Sequence, residues 1–414
     1  MTPKIKQRIE QIRRGEVLEG YKKTKVGIVP NEWIETKFSD LFVSTSEFTD
    51  DLEKYPLYSL TIEEGIIAKT ERYERSHLVK KDNAYKIVCP NDFAYNPMNV
   101  RFGAVARHKG DKEVSVSGYY DIFTTKLESD LKFMDSFLIS DKMIAYYNKV
   151  SIGSLVEKQR VHFSQFMDFV LPIPSISERN KIADILSAQD KLIELKEKLI
   201  EEKKKQKKAL MQQLLSGKKR FPGFSNQWIK SKLSDVLIEG SKVGVTDTSM
   251  YRKMTVKLAF KGLEFTKSDR EMADTRPFYI RKKNEIIIGK QNYFNGSVAL
   301  VTDEFDNCIC SNAIMSFSVK NADVKFVIEY ISQTDFMKKR EMLANGTGQK
   351  ELSEKDFLNF EIHLPCIAEQ NRIGNIASMC DSEMLLLEKD LDKEKQKKKA
   401  LMQLLLTGIV RVDI

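Results

Sequence analysis

Two short stretches of this chain carry the residue types that can read the edges of nucleic-acid bases. Ala94–Phe102 contains Asn96, Asn99 and Arg101, and Ile288–Asn295 contains Lys290, Gln291, Asn292, Tyr293 and Asn295. Arg and Lys donate to the acceptors of guanine, and Asn and Gln pair with adenine, so such side chains at a strand-to-loop junction suit hydrogen bonding in a groove. The posts around them repeat. Asn91-Asp92-Phe93 followed by Gly103 is answered by Asn284-Glu285-Ile286 followed by Gly296, at equal spacing. A second pair of loops, Ser151–Val161 and Asn345–Leu352, supplies Lys158, Gln159 and Arg160 in one case and Gln349 and Lys350 in the other. Glycine-containing turns expose backbone N–H groups and the cations add charge, which makes these candidate phosphate contacts.

Catalytic patterns are missing. Gly346-x-Gly348-x-Lys350 has too few residues between its glycines for a P-loop, and Glu351 stands where Ser or Thr is needed. Asn96-Pro97-Met98-Asn99 matches the Asn-Pro-Pro-aromatic loop of adenine methyltransferases poorly, and no glycine-rich cofactor loop lies upstream. Neither Gly-x-Ser-x-Gly nor His-Glu-x-x-His occurs, nor a nuclease-like carboxylate cluster. The cysteines, Cys89, Cys308, Cys310, Cys366 and Cys380, are odd in number and irregular in spacing, which argues against a disulfide framework. Cys308 and Cys310 could give at most two metal ligands, and His77, His108, His162 and His363 lie far from them in sequence. The expectation is a chain with no active site, metal or cofactor of its own.

The elements that must position the loops come in two copies. Ile176–Gly217 recurs without a gap as Ile367–Gly408, 191 positions later; Glu178, Asn180, Ile182, Ile185, Asp190, Leu210, Met211, Leu214 and Leu215 are among the residues kept. Neither copy contains proline, and apolar residues fall three and four apart, so each is expected as a helix with Gly217 or Gly408 as its stop. About 40 residues of helix reach roughly 60 Å, more than a small domain can bury, which makes each a spacer or a seam. Mid-way, Glu201–Lys208 and Asp392–Lys399 each set five lysines against two acids, a belt expected to stay wet while the helix ends pack. The entrances repeat too. Asn31, Trp33, Ile34, Lys37, Ser39 and Asp40 recur as Asn226, Trp228, Ile229, Lys232, Ser234 and Asp235, and the tryptophans are expected as core anchors.

Between entrance and helix lie segments of about 43–175 and 238–366 whose sequences scarcely match. Short β-prone runs at Tyr85–Val88, Val114–Ser117, Ile122–Thr125, Glu285–Ile288, Val298–Val301 and Ile314–Val319 predict small mixed, β-rich domains. Phe166 and Phe169, like Phe357 and Phe360, sit three apart before Pro174 and Pro365 and should face a core. The chain therefore divides into an N-terminal helix (1–20, with Gly20 as its stop), a first domain (21–175), a long helix (176–217), a second domain (218–366) and a second long helix with a tail (367–414). A net charge of +9 suits a polyanionic partner. The first residues lack a secretory signal, no apolar run is long enough for a bilayer, and a cytoplasmic address with no membrane partner is the default.

With Gly20-Tyr21-Lys22-Lys23-Thr24-Lys25-x-Gly27, Pro30-x-x-Trp33, Pro172-x-Pro174, Glu178-x-Asn180-x-Ile182, Glu369-Gln370-x-x-Ile373 and the ends KKALMQQLLSGKKRF and KKKALMQLLLTGIVRV, the whole chain resembles the specificity (S) subunit of type I restriction-modification systems. Arg179 departs from the pattern, where the second copy keeps Gln370. The resemblance implies an α/β (α+β) fold: two β-rich target recognition domains in pseudo-twofold arrangement, joined by two long antiparallel helices that form a coiled coil. It implies a non-catalytic chain that binds double-stranded DNA at a bipartite, asymmetric target. Its implied partners are two methyltransferase (modification) subunits carrying S-adenosylmethionine, and restriction/translocase subunits using ATP and Mg. Other readings are the specificity subunit of a methylation-only or type IIB-like system, and a coiled-coil adaptor with no role on DNA.

Overall fold

Ile176–Leu215 and Ile367–Leu405 are unbroken helices of 40 and 39 residues. Both stop for the same physical reason: Gly217 and Gly408 take φ of 71° and 73°, a left-handed conformation that costs glycine no Cβ clash. The turn is closed by Lys219 N–H donating to the Gln213 carbonyl and Val410 N–H to that of Leu404, each at 3.1 Å. The computed structural model describes residues 3–69, 84–153, 159–266, 276–341 and 351–412. It divides into two units, Met1–Glu197 with Asp390–Ile414, and Lys198–Lys389, so each long helix contributes to both.

In the first unit, a four-stranded antiparallel sheet has the spatial order Val105–Arg107, Phe93–Tyr95, Asp121–Thr125, Phe42–Ser44. In the second the order is Val298–Leu300, Ile286–Gly289, Ile314–Val319, Leu237–Glu239. The correspondence is strand for strand. A two-stranded ribbon repeats as well, Ile34–Lys37 with Val170–Ile173 and Ile229–Lys232 with Glu361–Leu364, in registers that pair Ile34 with Ile173 and Ile229 with Leu364. The duplicated entrance and exit are thus the two strands of one ribbon, which explains why these distant segments repeat together.

Each core is closed by the start of one long helix and the end of the other. In the first unit Ile182, Ala183 and Leu186 join Leu405 and Leu406 around Phe38, Phe42, Phe93, Phe123 and Phe166. In the second, Ile373 and Ala377 join Met211, Leu214 and Leu215 around Tyr293, Phe317 and Phe357. Phe166 packs against Phe38 edge-on at 5.0 Å and against Phe123 at 5.3 Å, and Phe357 meets Phe317 at 5.2 Å. The expected phenylalanine pairs therefore do face the core. Of the tryptophans, Trp33 is buried and Trp228 only partly so.

One expectation needs correction. The N-terminal helix spans Pro3–Arg13, because Gly15 at φ 82° turns the chain before Gly20 is reached. The charged belts stay mostly exposed, as expected, although Lys203, Lys207 and Lys398 within them reach acids on the facing helix. In the first unit Asp190 pairs with Lys398 at 2.5 Å and Lys196 with Asp390, so the two helix segments run antiparallel. In the second unit Lys203 pairs with Glu383 at 2.6 Å and Lys207 with Asp381 at 2.7 Å, again antiparallel. No helix among the described residues is long and apolar enough to cross a membrane.

Candidate nucleic-acid interface

The first loop leaves the strand Phe93–Tyr95 and is organised by its own side chain. Asn96 is buried, and its Oδ1 accepts from the backbone N–H of Met98 at 3.1 Å and of Asn99 at 3.3 Å. A 3-10 turn, Val100–Phe102, follows and ends at Gly103 with φ 99°. Arg101 is held within this turn: its guanidinium lies 4.4 Å over the Phe102 ring and donates to Gln159 Oε1 at 3.2 Å. Two loops far apart in sequence, both singled out from composition, are brought together by this bond.

The second loop follows the same course with different chemistry. The strand Ile286–Gly289 leads to Lys290, Gln291 and Asn292, a 3-10 turn Tyr293–Asn295 follows, and Gly296 ends it with φ 76°. Gly289 occupies the place of Asn96, so no side-chain oxygen caps the turn, and what remains is the backbone bond common to both copies, Asn292 N–H donating to the Gly289 carbonyl as Asn99 N–H does to that of Asn96, each at 3.1 Å. The missing Cβ also lets a neighbour in, since one built on Gly289 would meet Ser297 Oγ at 2.5 Å. Lys290 is partly exposed and lies 3.4 Å from Glu354, which Lys242 also binds at 2.7 Å. Burial pulls against the ionised Glu354, but the hydrogen bond from Lys242 and the charge of Lys290 hold its carboxyl below the usual range.

Beside this turn is a cleft of about 270 Å³ between the hairpin Met254–Val256 and Leu263–Phe265, the paired strands Phe278–Ile280 and Ile309–Ser311, and the turn itself. Its floor is apolar, with Met254, Val256, Phe278 and Ile314, while Lys253, Arg276, Lys290, Gln291 and Asn292 bring polar groups to it. Apolar walls with convergent polar groups are the usual build of a binding site.

The family model of the type I restriction modification DNA specificity domain matches residues 226–395, which include this cleft, its turn and the start of the second long helix. The chain is 23% identical to a putative type I restriction enzyme MjaX specificity subunit of Methanocaldococcus jannaschii, over 95% of this chain and 97% of the relative. It is 22% identical to the type I restriction enzyme MjaVIII specificity subunit of the same organism, over 93% and 94%. Over nearly its whole length the chain is thus similar to type I restriction-modification specificity subunits, and its second half carries the match to their DNA specificity domain. Its fold is that of a solved S subunit from M. genitalium, with a TM-score of 0.52 at 15% identity, covering 92% of this chain and 96% of that one.

Within this chain the sequence-derived candidates fare unequally. Asn99, Gln291, Asn292 and Asn295 are exposed, Asn295 donating to Asn292 at 3.1 Å; Lys290 and Arg160 are partly exposed. Tyr293 is a correction. It is fully buried, donates its hydroxyl to the Ile331 carbonyl at 2.8 Å and stands edge-on to Phe357, so it belongs to the core and presents nothing to a ligand. Asn96 likewise spends its side-chain oxygen on its own turn. Lys158, Lys350, Gln349 and His77 lie outside the described residues. Lys253 and Arg276 were missed, because the hairpin and strand that carry them reach the Gly289 turn only through the fold. Cys310, weighed as a ligand, is buried and accepts from Arg281 Nε at 3.2 Å.

The departure at Arg179 also finds its reason. Arg179 Nη1 donates to the Pro174 carbonyl at 3.2 Å and Gln370 Nε2 to that of Pro365 at 2.8 Å, so both copies tie the helix start to the preceding strand. Gln370 completes its set by accepting from Asp323 N–H at 3.0 Å. Arg179 instead donates to the buried Asp130 at 3.2 Å, with its Nε 2.8 Å from the other oxygen, at an angle too poor for a second hydrogen bond. Burial raises the Asp130 carboxyl above its ordinary range, and the guanidinium opposes that shift.

Proposed function

We propose that the chain confers DNA target specificity in a type I restriction-modification system, a reading that its similarity to type I specificity subunits supports. We propose that it reads a bipartite, asymmetric target, one half with each unit, and directs modification subunits that carry S-adenosylmethionine to methylate adenine. Restriction subunits using ATP and Mg would complete the assembly, and this chain would take no part in the chemical step. One observation carries the reading: the same four-stranded frame is built twice, and the turn at the same place in each presents different groups. Asn96, Pro97, Met98 and Asn99 in one copy correspond in position to Gly289, Lys290, Gln291 and Asn292 in the other. Equal frames give equal placement, and unlike side chains give unlike half-sites. The net charge of +9 supplies the phosphate term, which weakens with salt at a slope of about −0.9 per phosphate neutralised.

The test is to exchange residues 238–366 with those of a related subunit and to map methylated adenines in cells that also make the modification subunits. One half of the methylated sequence is expected to change and the other to stay. A change in both halves, or methyltransferase activity from the purified chain alone, would refute the proposal.

A further inference from the structure

The cleft of the second unit is one-sided in its electrostatics. Lys253, Arg276 and Lys290 line it, Gln291 and Asn292 add amides, and no carboxylate is among the described residues that line it. Lys253 Nζ is kept in place 4.6 Å from the centre of the Phe278 ring. Lys290 is fixed through its main chain, its N–H donating to the Ala313 carbonyl at 3.0 Å and its own carbonyl accepting from Leu352 N–H at 3.0 Å. The Lys290 side chain pairs with Glu354 outside the cleft at 3.4 Å. A surplus of cationic side chains, with no carboxylate among the described lining residues, complements a group rich in acceptors. In a major groove that group is the O6 and N7 edge of guanine, which offers two acceptors where thymine offers one beside a methyl group, while cytosine and adenine each present an amino donor. The corresponding turn of the first unit brings Pro97 and Met98 where the second has Lys290 and Gln291, so the two units differ in this chemistry.

Resting on the reading that the second unit meets DNA, we infer that this cleft receives a guanine edge, with Lys290 as the residue that sets the preference. The half-site governed by residues 238–366 then contains a required guanine. Backbone phosphate offers the same acceptor chemistry, and the experiment separates the two sources. The complex of this chain with its modification subunits is tested on duplexes randomised in the half-site that the domain exchange assigns to the second unit. A guanine is expected at one position. Replacing it with 7-deazaguanine, or replacing Lys290 with Met, is expected to cost about tenfold in binding at that position, within the range of one good base contact. Lys290→Met leaves Glu354 held by Lys242, and an unchanged melting temperature verifies the fold.

A half-site without a required guanine overturns the inference. So does a Lys290→Met loss that is uniform over all sequences, insensitive to 7-deazaguanine and accompanied by a shallower salt dependence, which is the signature of phosphate. If the complex selects no sequence at all, the bipartite reading falls, and this inference with it.

Discussion

Arg411→Met should unlock the first unit. Glu178, at the start of the first long helix, keeps 2% exposure, and Arg411, past the end of the second, binds it with both arms: Nε to Oε1 at 2.6 Å and Nη2 to Oε2 at 3.0 Å. Trp33 Nε1 donates to the same Oε2 at 3.2 Å. Removing the guanidinium leaves a buried carboxylate with one neutral donor. Breaking a fully buried pair from one side costs about 3–5 kcal/mol. The Arg411 side chain keeps 28% exposure, so water can reach part of the gap, and the expected loss is about 2–4 kcal/mol. The pair of Lys204 with Glu388, 3.5 Å apart with side chains 47% and 50% exposed, offers the contrast, since such surface pairs contribute about 0.2–1 kcal/mol. The clasp should therefore outweigh any single rung of the charged belts several-fold.

The chain provides its own reporters, because it has two tryptophans, Trp33 in the first unit and Trp228 in the second. With Trp228→Phe in the background, urea unfolding followed by Trp33 fluorescence should show a midpoint lowered by about 1 M or more for Arg411→Met, given slopes of about 1–3 kcal/mol per M. Lys204→Ala should move it much less. Adding Glu178→Gln to Arg411→Met should recover part of the loss, because the buried charge is then gone. A loss for Arg411→Met below about 0.5 kcal/mol, or strict additivity of the two changes, would refute the reasoning. Arg220 repeats the clasp on Glu369, at 2.5 and 2.7 Å, and Arg220→Met should lower the midpoint reported by Trp228 instead.

Three further outcomes can be measured in the same way. Gly408→Ala should cost several kcal/mol and Gly217→Ala about 1–2: both sit at left-handed φ, but a Cβ at 408 collides with Pro30 Cδ, whereas one at 217 finds only the Trp228 ring at 3.6 Å. Lys142, whose Nζ is buried with no hydrogen-bond partner beside the Trp33 ring, is pushed down by burial to about 8 from 10.5. The unfolded chain binds that proton more tightly, so between those two values stability should rise with pH by up to about 1.4 kcal/mol per unit, and Lys142→Met should abolish this rise while raising stability at neutral pH. Phe166→Ala and Phe357→Ala should each cost about 3–5 kcal/mol, reported by Trp33 and Trp228 respectively, and equal reports from both tryptophans for either change would argue against two separately packed cores.

The frame of the molecule was legible because it is written twice. Positions kept across the repeat, such as Glu178 and Glu369 or Gly217 and Gly408, turned out to be those fixed by a buried pair or a left-handed turn. Periodicity also found Tyr85–Val88, Val114–Ser117 and Ile314–Val319 with their observed bounds, since alternation and turn residues act locally. What stayed hidden depends on closure over long distances. The belts carry five lysines each, and a single helix gives no sign of which acids on its neighbour will meet them.

The reading loops show the same boundary at the scale of single residues. Composition placed Tyr293 and Gln291 together in a polar turn, yet a 3-10 turn begins at Tyr293 and rotates the chain by about a third of a circle per residue, so neighbouring side chains do not share a face. Tyr293 consequently points into the core, onto Ile331 and Phe357, while Gln291 stays outside. That inward anchor fixes where Lys290, Gln291 and Asn292 stand. A buried tyrosine taken from composition for a contact is thus what holds the candidate contacts in place, and the cleft that Lys253 and Arg276 line is formed with the hairpin that Lys253 precedes. In such a loop the residues that choose a ligand and those that aim the choosers alternate along the chain, and no count of polar side chains separates them.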